Sequence, residues 1–323
     1  MPLPDAVSSG IDTLLDRTVA PGFTKVGSAV RRRLPTWPAD PAPGALVGRT
    51  GLVTGASSGL GTATAEGLAR LGARVVLVVR DAGKGAATAR ELERAVPGAQ
   101  VSVATCDGSD LDDVRRFAEQ LDVDGVERVD VLVHNAGAMP PQRTESAQGH
   151  EQTMALHVLG PVLMTDLLSP RMTGGRVVLV TSGGMYGQRL RADDPEYLQG
   201  EYSPTTAYAR SKRAQVELLP VLLRRWSNKR IRVDATHPGW ADTPGLDSSL
   251  PAFRRLTRPF LRDAEDGADT TVWLAGADPE ETGRLWHDRR PRPTHLLPTT
   301  RTGDVERELM WEWVIKQTAL SPS

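Results

Sequence analysis

Tyr208-Ala209-Arg210-Ser211-Lys212 sets a phenol and an amine four residues apart, a spacing that puts both on one face of a helix. A tyrosine near its ordinary pKa of ~10 is a poor base at neutral pH. An ammonium beside it, together with a cationic nicotinamide ring, would stabilise the phenolate and lower that value. Tyr208 could then give a proton to a carbonyl oxygen, or take one from an alcohol, while hydride moves at carbon. Ser182 ends an apolar run, and its hydroxyl can bond the same oxygen as charge develops there. Serine at such a place also commonly caps a turn.

Hydride chemistry needs a dinucleotide site, and Thr54-Gly55-Ala56-Ser57-Ser58-Gly59-Leu60-Gly61 has the form of one. Leu52 and Val53 before it read as the end of a buried strand, and Thr62 to Leu71 after it as a helix closed by Gly72. Glycines let backbone approach a ligand where a Cβ would clash, and the helix N-terminus favours a phosphate. Gly55, Ser57, Ser58, Gly59, Leu60 and Gly61 are therefore candidate cofactor contacts. The next strand, Arg74 to Val79, decides cofactor choice at its end, where NAD-selective proteins place an acid. Here Val79 takes that position and Arg80 follows, whose planar guanidinium suits a 2′-phosphate. NADP(H) is expected over NAD(H), which the same cleft could also accept. Asp81 is expected to cap the following helix.

These residues need elements to hold them. Strands read at Arg49–Thr54, Arg74–Val79, Val101–Cys106, Val129–Val133, Arg176–Thr181 and Ile231–Thr236, with helical patterns at Gly83–Val96, Leu111–Leu121 and Glu151–Leu168. Such alternation predicts an α/β fold, a Rossmann-type doubly wound parallel sheet with ligands at the carboxyl ends of the strands. The organisation expected is an arm with a Pro-rich linker (1–44), a nucleotide-binding domain (45–287), and a basic tail with a final helix (288–323). In the arm, Ile11, Leu14, Leu15 and Val19 share a helical face, and Arg31-Arg32-Arg33 follow. It could rest weakly on a membrane surface, but packing on its own domain or on a sister subunit of a homo-oligomer is the favoured expectation. The loop from Tyr186 to Pro204 reads as a lid or a disordered insertion. In the last helix, Leu309, Met310, Trp313, Val314 and Gln317 share a side, broadened by Trp311 and Ile315.

With 323 residues, 39% hydrophobic and 24% charged, the chain can bury a sizeable core. A net charge of −1 gives no case for nucleic-acid binding. The single cysteine, Cys106, excludes an internal disulfide and reads as a buried apolar residue. No apolar run approaches the ~20 residues of a membrane helix, and no secretory leader is evident, so a cytoplasmic location is expected. No metal is expected.

Glycine turn, serine and Tyr-x-x-x-Lys in this order resemble the short-chain dehydrogenases/reductases of the classical type, over about Leu46 to Leu285. That resemblance implies an oxidoreductase acting on a small carbonyl or alcohol, with Ser182, Tyr208 and Lys212 catalytic and the last two also holding the cofactor. It implies that Asp107 holds adenine and that Asn135-Ala136-Gly137 line the cofactor. Pro238-Gly239 and Thr243 match the segment that binds the carboxamide. The phrases His237-Pro238-Gly239-Trp240-Ala241-Asp242-Thr243-Pro244-Gly245 and Arg284-Leu285-Trp286-His287-Asp288-Arg289 resemble one branch, near the retinol-dehydrogenase-like enzymes. Two positions depart. His134 stands for the first Asn of Asn-Asn-Ala-Gly, a structural place. His157 of His157-Val158-Leu159-Gly160 stands for the family's fourth catalytic residue, an Asn that holds a relay water. His157 could carry the relay with a new pH dependence or be a packed helical histidine. Two other readings are a dinucleotide-sensing scaffold without turnover and an extended-type sugar-nucleotide enzyme. The glycine spacing opposes the second.

Overall fold

Alternate residues of the valine-rich runs serve opposite faces of one sheet. The computed structural model describes residues 4–123, 125–242, 255, 257–277 and 279–321. Its strands are β1 (Thr50–Thr54), β2 (Arg74–Val79), β3 (Gln100–Thr105), β4 (Val131–His134), β5 (Arg176–Val180), β6 (Arg232–Thr236), β7 (Leu285–His287) and β8 (Arg290–Arg292). Its helices are α1 (Asp5–Arg17), α2 (Val19–Phe23), α3 (Lys25–Arg31), α4 (Gly59–Arg70), α5 (Ala82–Ala95), α6 (Leu111–Val123), α7 (Gln152–Met154), α8 (Gly160–Leu168), α9 (Pro204–Glu217), α10 (Leu219–Arg225), α11 (Ala264–Ala277) and α12 (Asp304–Thr318). The strands lie in the order β3-β2-β1-β4-β5-β6-β7-β8, parallel through β7, with β8 antiparallel at the edge. This is the doubly wound Rossmann-type sheet that the alternation predicts. Strand order reverses between β1 and β4, where the ligand crevice of such a sheet opens.

Register explains the two cores. Val76, Leu52, Leu132, Val177 and Val233 stand side by side across the sheet and face α6 and α8. One residue on, Leu77, Val53, Val133 and Val178 face the opposite way, toward α4, α5 and α11. Cys106 is buried, and burial pushes its thiol up to about 12, so it is inert at neutral pH.

The sheet continues past residue 287, through the piece read from sequence as a basic tail. Three-residue strands carry too little pattern to register, and Pro291 is tolerated because β8 is an edge. Asp288 and Arg289, at φ 50° and 56°, form the two-residue hairpin turn between β7 and β8.

The arm packs on its own domain, with a face of α1 rotated from the one the apolar pattern suggests, so that Ile11 and Leu15 stay half-buried. Ser8, Asp12 and Asp16 are buried while Leu14 is 63% exposed. Ion pairing decides this: Asp12 meets Arg31 at 2.8 Å and Arg292 at 2.9 Å. The run Arg31-Arg32-Arg33 is likewise not a free basic face, since Arg31 is buried and Arg32 pairs with Asp266 at 2.8 Å. In α12, Met310, Trp311 and Val314 are buried and Leu309 is half exposed, so the inward face is rotated from the expected one. Among the described residues no helix is long and apolar enough to cross a membrane.

Candidate active site

The turn after β1 is held by the loop after β4. Thr54 Oγ1 accepts the backbone N–H groups of Asn135 and Ala136, both at 3.0 Å, and Asn135 Nδ2 donates back to the Thr54 carbonyl at 3.0 Å. Glycine is required at two points of this junction. A Cβ on Gly55, which has φ 65°, would lie 2.8 Å from Ala136 Cα. On Gly61 it would lie 2.3 Å from the Gly55 carbonyl oxygen. Ser58 is the N-cap of α4 but its side chain makes no capping bond, so the first-turn N–H groups keep their capacity for an anion. Ser57 and Leu60 are half-buried beside it. This turn fits a dinucleotide pyrophosphate. Thr54, which immediately precedes the glycines, is a structural member of the site that the motif spacing alone does not mark.

At the end of β2, Asp81 caps α5 by accepting the Lys84 N–H at 3.0 Å, as its position suggests. Val79 does not face a ribose. Its side chain is 2% exposed and packs toward Gly85 of α5, so Arg80 is the first residue there to reach the surface. Asp107 follows β3, and its Oδ1 accepts the backbone N–H and the hydroxyl of Ser109 at 2.9 and 2.6 Å.

Ser182, two residues past β5, caps a 3-10 turn, and its Oγ accepts the Gly184 N–H at 3.3 Å. Tyr208 and Lys212 lie one turn apart on α9, whose start is capped by Ser203. Lys212 Nζ sits 5.6 Å from the Tyr208 ring centre and donates to the Val180 carbonyl at 2.8 Å. The Tyr197 ring takes the Arg210 guanidinium at 3.9 Å, so the loop read as a lid or disordered insertion is tied to α9. Burial drives both groups toward their neutral forms. It raises the Tyr208 phenol above its ordinary value, opposed by hydrogen bonding with Ser182. It lowers the Lys212 amine to about 7. A protonated phenol is the state that can give a proton to a carbonyl.

His157 lies on a π-helical turn, Ala155–Leu159, between α7 and α8. Gly160 follows because a Cβ there would lie 1.8 Å from the Gly108 carbonyl oxygen. The buried ring has both nitrogens engaged. Nε2 accepts the Ala138 N–H at 3.2 Å, which leaves the proton on Nδ1 to donate to Ser211 Oγ at 2.8 Å. Ser211 Oγ in turn donates to the Tyr208 carbonyl at 2.8 Å. The His157 carbonyl accepts Gln215 Nε2 at 2.8 Å, a partner that sequence spacing does not reveal. Burial first, and the Lys212 charge second, hold the ring well below 6.5. His157 is therefore neutral through the physiological range, the state in which Nε2 can accept the Ala138 N–H. His134 is also buried, bonded to Thr165 Oγ1 at 2.8 Å.

A Cβ on Gly137 would lie 3.3 Å from His157 Nε2, and Pro238-Gly239 follow β6, where the Gly239 N–H donates to His237 Nδ1 at 3.1 Å. Thr243 lies outside the described residues. The structure thus brings Gly55 to Gly61, Asn135 to Gly137, Ser182, Tyr208, Lys212 and Pro238-Gly239 to the carboxyl ends of the central strands. Arg80 and Asp107 stand at the ends of β2 and β3.

A parallel sheet with this glycine turn and this serine, tyrosine and lysine defines an oxidoreductase that moves hydride between CH–OH and C=O. The short chain dehydrogenase family model matches residues 49–252, and the chain belongs to that family. It is 36% identical over 274 residues to dehydrogenase/reductase SDR family member 12 of Bos taurus, covering 82% of this chain and 84% of that one. It is 38% identical over 272 residues to a Streptomyces sp. (strain C5) protein, DnrU, named as a candidate daunorubicin C-13 ketoreductase, covering 83% and 92%. The solved Pseudomonas aeruginosa RhlG/NADP active-site complex superposes with a TM-score of 0.61 at 27% identity, covering 75% of this chain and 95% of that one. Neither the sensing-scaffold nor the sugar-nucleotide reading gains support from these matches.

Proposed function

We propose that this protein is an NADP(H)-dependent reductase of a small-molecule carbonyl, or the corresponding alcohol dehydrogenase. The observation that carries the cofactor reading is at the end of β2. The side chain of Val79 is turned into the core, and exposed Arg80 makes no ion pair among the described residues. Its guanidinium is free to take a 2′-phosphate through paired, charge-assisted bonds. The NADP of the Pseudomonas aeruginosa complex and the ketoreductase naming of the Streptomyces relative favour the same reading.

A bound nicotinamide dinucleotide supplies or accepts the hydride. The chain's own residues manage the oxygen. Tyr208, protonated at neutral pH, gives its proton to the carbonyl oxygen, and the Ser182 hydroxyl bonds that oxygen as it gains charge. Lys212, fixed beneath the ring by the Val180 carbonyl, brings positive charge that favours the phenolate left behind. Ser211 and His157 hold the α9 backbone at Tyr208.

Cofactor choice is tested by dissociation constants for NADPH and NADH in wild type and Arg80→Leu. Loss of paired charged bonds worth ~1.5–3 kcal/mol should weaken NADPH by roughly 10- to 100-fold and leave NADH little changed. Tighter NADH binding in wild type, or equal weakening of both cofactors, would refute the preference.

A further inference from the structure

Two active-site segments touch one side chain that comes from neither. The Phe23 ring, at the end of α2 in the N-terminal arm, is 1% exposed. A Cβ on Gly183, the residue after Ser182, would lie 3.0 Å from Phe23 Cε2 and 2.7 Å from His237 Nε2. A Cβ on Gly239 would lie 2.7 Å from the Phe23 carbonyl oxygen and 2.5 Å from Arg262 Nε. The arm is therefore wedged against the backbone of the serine turn and of the turn after β6 at once. Neither glycine leaves slack.

Directional contacts fix the wedge. The Phe23 carbonyl accepts the Trp240 N–H at 2.8 Å and Arg262 Nε at 3.1 Å. Its ring stands edge to face with His237, centres 4.3 Å apart, and with His287 at 5.3 Å. Arg262 continues to Asp288 at 2.6 Å, and Asp288 also takes Arg31 of the arm at 2.6 Å. Arg31 closes the circuit on the Gly22 carbonyl at 2.8 Å. Buried ion pairs of this kind add little net stability, because desolvation offsets their attraction. They do hold partners in one relative orientation. The residues so oriented are Gly183, beside the catalytic serine, and Gly239, in the segment proposed to meet the nicotinamide end of the cofactor.

We infer that the N-terminal arm is part of the active site, and that Phe23 is a positioning residue setting the Ser182 turn against the Pro238-Gly239 turn. The inference rests on the dinucleotide-reductase reading of that site. It names a function for a segment outside the nucleotide fold. Phe23 itself touches no reacting atom, so its effect passes through the two glycine-containing turns.

The test compares full-length wild type, Phe23→Ala and Phe23→Leu at a temperature where circular dichroism shows each folded. Fluorescence titration with NADPH gives a dissociation constant without any substrate. A carbonyl compound that wild type reduces gives kcat and KM. Misplacing active-site groups by about 1 Å costs up to ~10²-fold, so Phe23→Ala should lower kcat by about tenfold or more and weaken NADPH by about fivefold. Phe23→Leu, which refills most of the volume, should fall between. A lower Tm with the dissociation constant and kcat both within twofold of wild type would mean packing alone and would overturn the inference. Should Phe23→Ala not fold, Phe23→Leu decides by the same criteria, a threefold change in either constant supporting and wild-type values overturning. Failure of the reductase reading looks different. Wild type would then bind NADPH but reduce no carbonyl, and the NADPH constants of the variants alone would judge Phe23.

Discussion

Lys212 should make the cofactor-free protein more stable as pH rises above neutrality. Its side chain is 2% exposed, and burial lowers its pKa from 10.5 to about 7. A gap of about 3.5 pH units at about 1.4 kcal/mol each amounts to about 5 kcal/mol. The sign follows from proton counting. Below pH 7 both the folded and the unfolded chain carry the charge, and the full cost of burying it stands. Between pH 7 and 10.5 the unfolded chain binds a proton that the folded one does not, so stability rises with pH. From pH 7 to pH 9 the gain is about 2 kcal/mol. Lys212→Met keeps the bulk and removes the titration. It also loses the Nζ bond to Val180, worth about 1 kcal/mol, yet should still be the more stable protein at pH 7. Urea unfolding of both proteins at several pH values measures this, with the cofactor absent. The wild-type-minus-variant difference should shift by about 2 kcal/mol between pH 7 and 9 in favour of wild type. Parallel pH curves for the two proteins would refute the reasoning.

Other expectations concern single side chains. Tyr208→Phe should lower carbonyl reduction by ~10²-fold or more with little change in NADPH binding, and wild-type turnover would rule out the acid role. His157→Leu leaves the Ala138 N–H without its acceptor, at about 1–3 kcal/mol, while the Ser211 hydroxyl keeps the Tyr208 carbonyl, so thermal stability and activity should both fall. His157→Asn should keep much activity, and its pH profile between 6 and 8 should match wild type because the imidazole is already neutral; a displaced profile would contradict that. Val79→Asp should destabilise by ~3 kcal/mol or more at pH 8 and by less at pH 5, since a buried carboxyl resists ionisation. A variant that instead gained NADH affinity at unchanged stability would show that the side chain faces the ribose after all.

Sequence alone determined the features whose physics is local. Glycines at 55, 59 and 61 announce a turn through steric freedom, and the valine runs announce buried strands by their length and type. Tyr208 and Lys212 meet because helical spacing brings them together. Six strands of the sheet, the π-interrupted helix around His157 apart from its bulge, and the ends of α4, α5 and α6 were legible to within a few residues on such signals. Tertiary structure alone decided where charge is buried. Asp12, Arg31, Arg262 and Asp288 look like solvated surface in the sequence, and only their meeting across four distant segments makes an interior of them. The same meeting rotates α1 so that Leu14 faces outward, and seats Phe23 beside Gly183 and Gly239. It was equally undecidable that Val79 points inward while Arg80 emerges, because a strand buried on both faces shows no alternation from which to choose. Periodicity reports what a residue's neighbours in sequence do. Ion pairing, orphaned donors and close backbone approach depend on neighbours in space, and those are set only when the sheet and its arm come together.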